Sequence, residues 1–427
     1  MRERLTLFGL AALLLLLAGC AEEIEAPTDV WVGREGTIET MADPIAEALN
    51  PSDTDGAQTL VYLPDGYSAS GDAYPVVYML HGYGGDENMF PTIFGITALI
   101  DEMIASEVVE PFVAVFPNGD NELAGTFYQN SAYPLVGASA DRMMSLVGSI
   151  EASYNVSTDP AGKAICGLSM GGYGALSLAL ENAGEFGYVG VLSGPVSFWG
   201  ERTADPVNIP NTDDVYAGIE ELLPTVIAQG GFTPDPDWDP LVPDPDLTAA
   251  YQTAMANGLQ QGPPTSMMFA MAAAFSPGDP ADPGPTYVQF DPSLPGVELP
   301  IGLDGEIYLP VWNLWMARDI IARLSTDPAQ QAAMAGMDIY LACGLSDDLG
   351  LYGAHAVLAT VLTTNFGVAF DGTDNVNRFF GTPDNPDANF PYDGGTIDDA
   401  FGGFPAGHTE AAREELRLIV EWLDGKF

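Results

Sequence analysis

The stretch that most constrains this chain is Lys163-Ala-Ile-Cys-Gly-Leu-Ser169-Met-Gly-Gly-Tyr-Gly-Ala-Leu176. Lys163 to Cys166 is short and mostly apolar, as a buried strand is. Gly167-Leu-Ser169-Met-Gly171 fits the pattern G-x-S-x-G, in which a serine sits on a sharp strand-to-helix turn with its hydroxyl exposed. Gly174 to Leu180 then runs on in good helix formers. The glycines have a steric reason: lacking a Cβ, they let strand and helix approach closely around a strained turn. A helix starting there directs its first amides and positive dipole end toward the space in front of the serine.

The pattern alone is a weak signal, because the chain has 48 Gly in 427 residues and chance matches are not rare. Its context is what counts. Ala57 to Leu63 reads as a strand, closed by the turn Pro64-Asp-Gly66. Tyr74 to Leu80 and Pro111 to Phe116 are continuous apolar runs, the mark of strands buried on both faces. Phe90 to Ser106 and Ser139 to Tyr154 carry helical spacing, and Tyr188 to Leu192 is another strand. The sheet resumes with Met337 to Cys343, a helix over Tyr352 to Phe366, a strand over Gly367 to Phe370 and a last helix over Glu410 to Leu423. Residues 21–55 show no strong periodicity beyond a short helix over Met41 to Leu49. Strands alternating with helices predict an α/β fold, a mainly parallel sheet covered on both faces. Sites in such sheets lie at the carboxyl ends of strands.

Residues 200–335 break the alternation. Proline and aspartate are dense in Pro234 to Pro240 and Pro243 to Asp246, between helix-like pieces at Asp213–Gln229 and Leu247–Leu259. Met267 to Phe275 is apolar, and Ile307 to Met316 is rich in aromatics. The region reads as a large insertion over the sheet edge, a lid or substrate wall. Its Trp312 and Trp315 suit either an aromatic or sugar-bearing ester or the core.

A serine hydroxyl needs a base to take its proton and a third group to orient that base. The chain has only 3 His. His81 precedes a glycine loop and belongs to an oxyanion scaffold. His355 lies within a helix and is structural. His408 follows Gly407 and immediately precedes the last helix, where a base is expected. Asp347 and Asp348 both follow a strand between the serine and that histidine, with Asp347 preferred as the acid. Oxyanion donors are expected at the amides of Met170, the residue after the serine, and Tyr83, in the loop after the Tyr74–Leu80 strand.

These pieces together resemble one family. Leu63-Pro-Asp-Gly-Tyr67, Tyr74-Pro-Val-Val-Tyr-Met-Leu-His-Gly82, Gly167 to Ala175, Gly344-Leu-Ser-Asp347 and Gly407-His408 look like the esterase D family of α/β-hydrolases. That family includes S-formylglutathione hydrolases, feruloyl esterases, siderophore esterases and mycolyltransferases. The resemblance covers roughly residues 57–199 and 301–427. It implies an α/β-hydrolase fold and a triad of Ser169, Asp347 and His408, with the Tyr83 and Met170 amides as oxyanion donors. It also implies ester hydrolysis through an acyl-enzyme, with no cofactor and no metal. An acyltransferase on the same scaffold and a non-catalytic envelope-anchored binding module are the alternatives. The insertion and the long 371–400 loop depart from the compact members, so no one member's substrate carries over. A small-molecule or saccharide-linked ester is expected, feruloyl or acetyl-sugar esters among them.

The chain opens with Arg2 and Arg4, an apolar run from Leu5 to Leu17, and Leu17-Ala-Gly-Cys20. That is the charged start, apolar middle and small-residue end of an export signal, and its ending resembles a bacterial lipobox. Residues 1–20 are therefore expected to direct export and lipidation at Cys20. Residues 21–56 would be a tether and lead-in, and 57–427 the catalytic domain. Ala21 favours the outer membrane, reached through this anchor only. Cys166 and Cys343 fall on strands separated by a third, roughly 9–10 Å apart, too far for a disulfide, so two buried thiols are expected. Lys and Arg number 12 against 60 Asp and Glu, a net charge of -48. Such a surface repels nucleic acid and anionic lipid. It reads as solvation in a salt-adapted organism or, secondarily, as Ca²⁺ binding by acidic loops.

Overall fold

The computed structural model describes residues 35–42, 58–198, 237, 239, 263–289, 293–302, 304–344, 347, 349, 351–380, 391–392 and 412–427. Its central sheet follows from the apolar runs. In sequence order the strands are β1 (Thr37–Ala42), β2 (Gln58–Leu63), β3 (Val76–Leu80), β4 (Val113–Phe116), β5 (Lys163–Leu168) and β6 (Tyr188–Leu192). β7 (Tyr287–Val288) and β8 (Val297–Glu298) form a separate antiparallel pair. β9 (Asp338–Gly344), β10 (Val376–Phe380) and β11 (Pro391–Tyr392) complete the main sheet. Its order is β1-β2-β4-β3-β5-β6-β9-β10-β11. The run from β4 to β10 is parallel, with antiparallel pairings only toward the two edges.

Successive residues of a strand face opposite sides of a sheet, and the two cores divide accordingly. Val76, Tyr78 and Leu80 enter one cluster; Val77 and Met79 enter the other. Helices α1 (Ile96–Ala105) and α9 (Ala412–Asp424) cover the second face. Helices α2 (Ser139–Ser153), α3 (Met170–Glu181) and α8 (Tyr352–Phe366) cover the first. They are joined there by α4 (Pro263–Phe275), α5 (Leu309–Met316), α6 (Ile320–Thr326) and α7 (Pro328–Met334). The described part of the 200–335 segment is thus packed into the core of one face.

The structure corrects two readings. Gly367–Phe370 is not a strand: Gly367 (φ 70°) caps α8, and the Val368 amide reaches back to Leu362 O at 3.1 Å. These apolar residues cover a helix end, and the strand comes later, at β10. Met41 and Ala42 lie in β1 rather than a helix, with 43–49 outside the described residues. The helix-like pieces 213–229 and 247–259 also lie outside them, as do residues 1–34 with Cys20. Cys166 on β5 and Cys343 on β9 are buried free thiols with β6 between them, as expected.

Trp312 and Trp315 are core residues. They stack on each other with ring centroids 6.2 Å apart, and Trp315 Nε1 donates to Ser276 Oγ at 2.8 Å.

Candidate active site

Ser169 stands between β5 and α3 with φ 56° and ψ -120°, a left-handed conformation that a residue with a side chain adopts at a cost on the order of 1–3 kcal/mol. The neighbours enforce it. A Cβ at Gly171 would stand 1.9 Å from Leu80 O, and one at Gly167 would stand 2.3 Å from the Gly171 carbonyl. Strand, turn and helix therefore meet backbone to backbone. The Ser169 amide donates to Leu192 O at 2.8 Å, which ties the turn to the end of β6.

The loop after β3 packs against this elbow; a Cβ at Gly82 would be 3.3 Å from the Ser169 Cβ. Both ring nitrogens of buried His81 are committed. Nδ1 donates to Gly82 O at 2.8 Å, and Nε2 accepts from the Gly119 amide at 2.7 Å. Burial brings its pKa down to about 4, against a smaller opposing effect of the bond to Gly82 O. His81 is thus a neutral strut between the loops after β3 and β4.

The Gly84 and Gly85 amides are engaged, with Ala124 O at 2.8 Å and Gly82 O at 3.1 Å, whereas the Tyr83 amide has no backbone acceptor among the described residues. The Met170 amide is the first of α3, and a first-turn amide has no acceptor within its helix. Tyr83 and Met170 both line the cleft that holds Ser169.

The loop after β4 completes this side. Phe127 and Tyr128 are consecutive left-handed residues (φ 51° and 52°) and both are buried. The Tyr128 ring fits where Gly174 has no side chain, since a Cβ there would be 2.4 Å from Tyr128 Cδ2. Gly174 of the elbow motif therefore serves this second loop.

Asp347 follows β9 and is buried. Its Oδ1 accepts from the Leu349 amide at 2.9 Å, and its Oδ2 accepts weakly from the Cys343 thiol at 3.6 Å. Leu349 lines the same cleft as Ser169, so the turn that carries Asp347 borders that cleft. His355 is buried in α8 with Nε2 donating to Gly194 O at 2.9 Å, a structural role as expected. Asp348 and His408 lie outside the described residues.

The cleft before Ser169 is lined by Tyr83, Phe127, Met170, Met267, Met271 and Leu349, with Pro195 and Leu351. Of these, only Tyr83, Ser169 and Met170 were singled out from sequence. Phe127 owes its place to an unusual backbone that no local motif announces. Met267 and Met271, spaced i and i+4 in an apolar run, fall in the segment read as a lid or substrate wall, but neither was singled out there.

Residues 55–223 match the family model described as "Putative esterase". That stretch belongs to the esterase family. Within it lie the elbow, both candidate oxyanion loops and the His81 strut. Esterase Rv1288 and Esterase MT1326, from two strains of Mycobacterium tuberculosis, are each 36% identical to the chain over 140 residues. The alignment takes in 32% of this chain and 29% of each relative, so the chain spans under a third of their length. The solved structure of a ferulic acid esterase is similar over 92% of this chain and 100% of its own, at 15% identity and a TM-score of 0.51. With the mainly parallel sheet, this shows the esterase segment to be part of an α/β-hydrolase fold.

Proposed function

We propose that the chain is a serine hydrolase of carboxylic esters. The observation that carries this reading is Ser169, held at a positive φ on a glycine-packed elbow and facing an apolar cleft, with the Met170 amide beside it. Ser169 attacks the ester carbonyl, and the Met170 and Tyr83 amides receive the oxyanion. His408 takes the serine proton and passes it to the leaving alcohol; Asp347 orients the imidazole and balances its charge. Water then releases the acyl group. His408 is favoured by elimination, because His81 has both ring nitrogens engaged and His355 is buried with Nε2 bonded to Gly194 O.

Export and a lipid at Cys20 remain part of this reading, on the strength of residues 1–20 alone. The substrate would then be an ester met outside the cytoplasm. The test is turnover of p-nitrophenyl acetate by the full-length chain beside Ser169→Ala, at low and molar NaCl. The variant is expected to lose on the order of 10⁴–10⁶ in kcat, because triad members act as a unit. Undiminished turnover in the variant would end the assignment.

A further inference from the structure

One wall of the cleft comes from outside the esterase match, which ends at residue 223. Helix α4 supplies Met267 and Met271, one turn apart and so on one face. The helix is anchored at the site. The Tyr83 hydroxyl is hydrogen-bonded to the Ser266 side chain, Ser131 Oγ donates to Ala273 O at 2.5 Å, and Phe275 packs edge-on against Phe127 with centroids 5.5 Å apart.

The chemistry of this wall is specific. Beyond Ser169 the only hydroxyl among the described lining residues is that of Tyr83, already engaged with Ser266. A ring bearing phenol or methoxy groups would find no further side-chain hydroxyl among the described lining residues. Trp312 and Trp315, the residues suited to stacking on a sugar or cinnamoyl ring, are buried away from the cleft. The cavity itself is about 20 Å³, room for roughly one water. Methionine side chains are unbranched and adaptable. They yield to a thin flexible chain more readily than to a rigid planar acid.

We infer that Met267 and Met271 are specificity-determining residues that form the acyl wall, and that the site takes short unbranched aliphatic acyl groups in preference to hydroxycinnamoyl ones. This rests on the serine-esterase reading above. An acetyl or butyryl chain lies between the thioethers, while a longer chain or an aromatic acid must displace them.

The test is kcat/KM of the full-length chain for p-nitrophenyl acetate, butyrate and octanoate and for methyl ferulate, in the wild type, Met267→Ala and Met271→Ala. The wild type should favour acetate or butyrate over octanoate and methyl ferulate by at least about 10-fold, within what a few methylenes in an apolar pocket can discriminate. At least one variant should raise the octanoate-to-acetate ratio about 10-fold. Methyl ferulate ranking with acetate in the wild type would overturn the inference. So would an unchanged chain-length profile in both variants. Met267 is only partly buried, so Met267→Ala carries the comparison if Met271→Ala does not fold. Loss of the serine-esterase reading looks different: acetate hydrolysis is then absent from the wild type or survives Ser169→Ala.

Discussion

Two strand ends carry the candidate site, and they are held in opposite ways. At the end of β5 the constraint is steric. Gly167 and Gly171 bring backbone segments to distances no side chain would permit, and at Gly82 a side chain would stand only 3.3 Å from the turn. At the end of β9 the constraint is a handful of hydrogen bonds: Asp347 accepts from the Leu349 amide and the Cys343 thiol, and its own amide donates to Gly344 O at 3.2 Å. Bonds of that kind contribute about 0.5–1.5 kcal/mol each. A steric elbow leaves glycines at fixed spacing in the sequence, whereas a hydrogen-bonded turn leaves only an acid after a strand.

The sharpest way to break this comparison is at the acid. Asp347→Asn keeps an oxygen to accept from Leu349, so the turn should persist, while the charge proposed to balance the imidazolium is lost. Turnover of p-nitrophenyl acetate should fall on the order of 10⁴-fold, as when an orienting acid becomes an amide in a serine triad, with little change in Tm. Retention of most activity, with loss in Asp348→Asn, would move the role one residue along.

The elbow predicts the reverse, a fold effect. Gly171→Ala places a Cβ 1.9 Å from a backbone oxygen that cannot step aside, so stability should drop by at least about 3 kcal/mol. Gly66→Ala is the control. Gly66 has φ 77° but open space around it, and the left-handed conformation alone costs an alanine about 1–2 kcal/mol. Thermal melts of the two variants compare steric exclusion with backbone preference. Equal losses would refute the steric account of the elbow.

This contrast also explains what could be read from the chain. The strands from β2 to β6 and β9 were legible because a parallel sheet covered on both faces needs continuous apolar runs. β1 was missed because it is an edge strand whose first four residues are exposed, so Thr-Ile-Glu-Thr shows no buried alternation. β10 was displaced in the reading because Gly-Val-Ala-Phe, apolar and short, precedes the polar Asn377 and Arg378 of the true strand. Ser169, Met170 and Tyr83 could be singled out because the elbow pattern and the glycine loop after β3 fix their places, and all three line the cleft. Phe127 could not, and Met267 and Met271 were legible only as part of a segment read as a lid or substrate wall, since tertiary packing decides which residues of a wall face the cleft.

His81 gives a third effect, smaller and pH-dependent, that belongs to the steric side. Only the neutral imidazole can donate to Gly82 O and accept from the Gly119 amide at once. Burial lowers its pKa from 6.5 to about 4. An unfolded chain takes up the proton near 6.5, and the native state refuses it until about 4. Stability from this source is therefore complete above pH 6.5 and is lost as pH falls through that window, up to about 3 kcal/mol by pH 4. His81→Gln can donate and accept without titrating there. Urea melts from pH 7 to 4 should show a smaller loss for the variant than for the wild type. Parallel pH slopes would mean that His81 is not held neutral.

The smallest effect tests the hydrogen-bonded side from behind. Ser193 Oγ donates to Cys343 Sγ at 3.8 Å, and that thiol shares its one proton between Asp347 Oδ2 at 3.6 Å and Gly344 O at 3.7 Å. The thiol is fully buried and its pKa is raised well above the ordinary value, by desolvation first and by the Asp347 charge second, so it stays a neutral donor across the working range. A thiol is a weak donor. Removing it in Cys343→Ala should lower kcat by about 2- to 5-fold, the equivalent of a bond of roughly 0.4–1 kcal/mol to a charged group. KM should stay unchanged, because Cys343 is fully buried and is not among the described residues lining the cleft. Cys343→Ser restores a donor of similar size and should recover most of the loss in kcat. Cys343→Ala with wild-type kcat would show that Asp347 is held by the Leu349 amide and its own turn alone, leaving the acid end of the site dependent on backbone geometry after all.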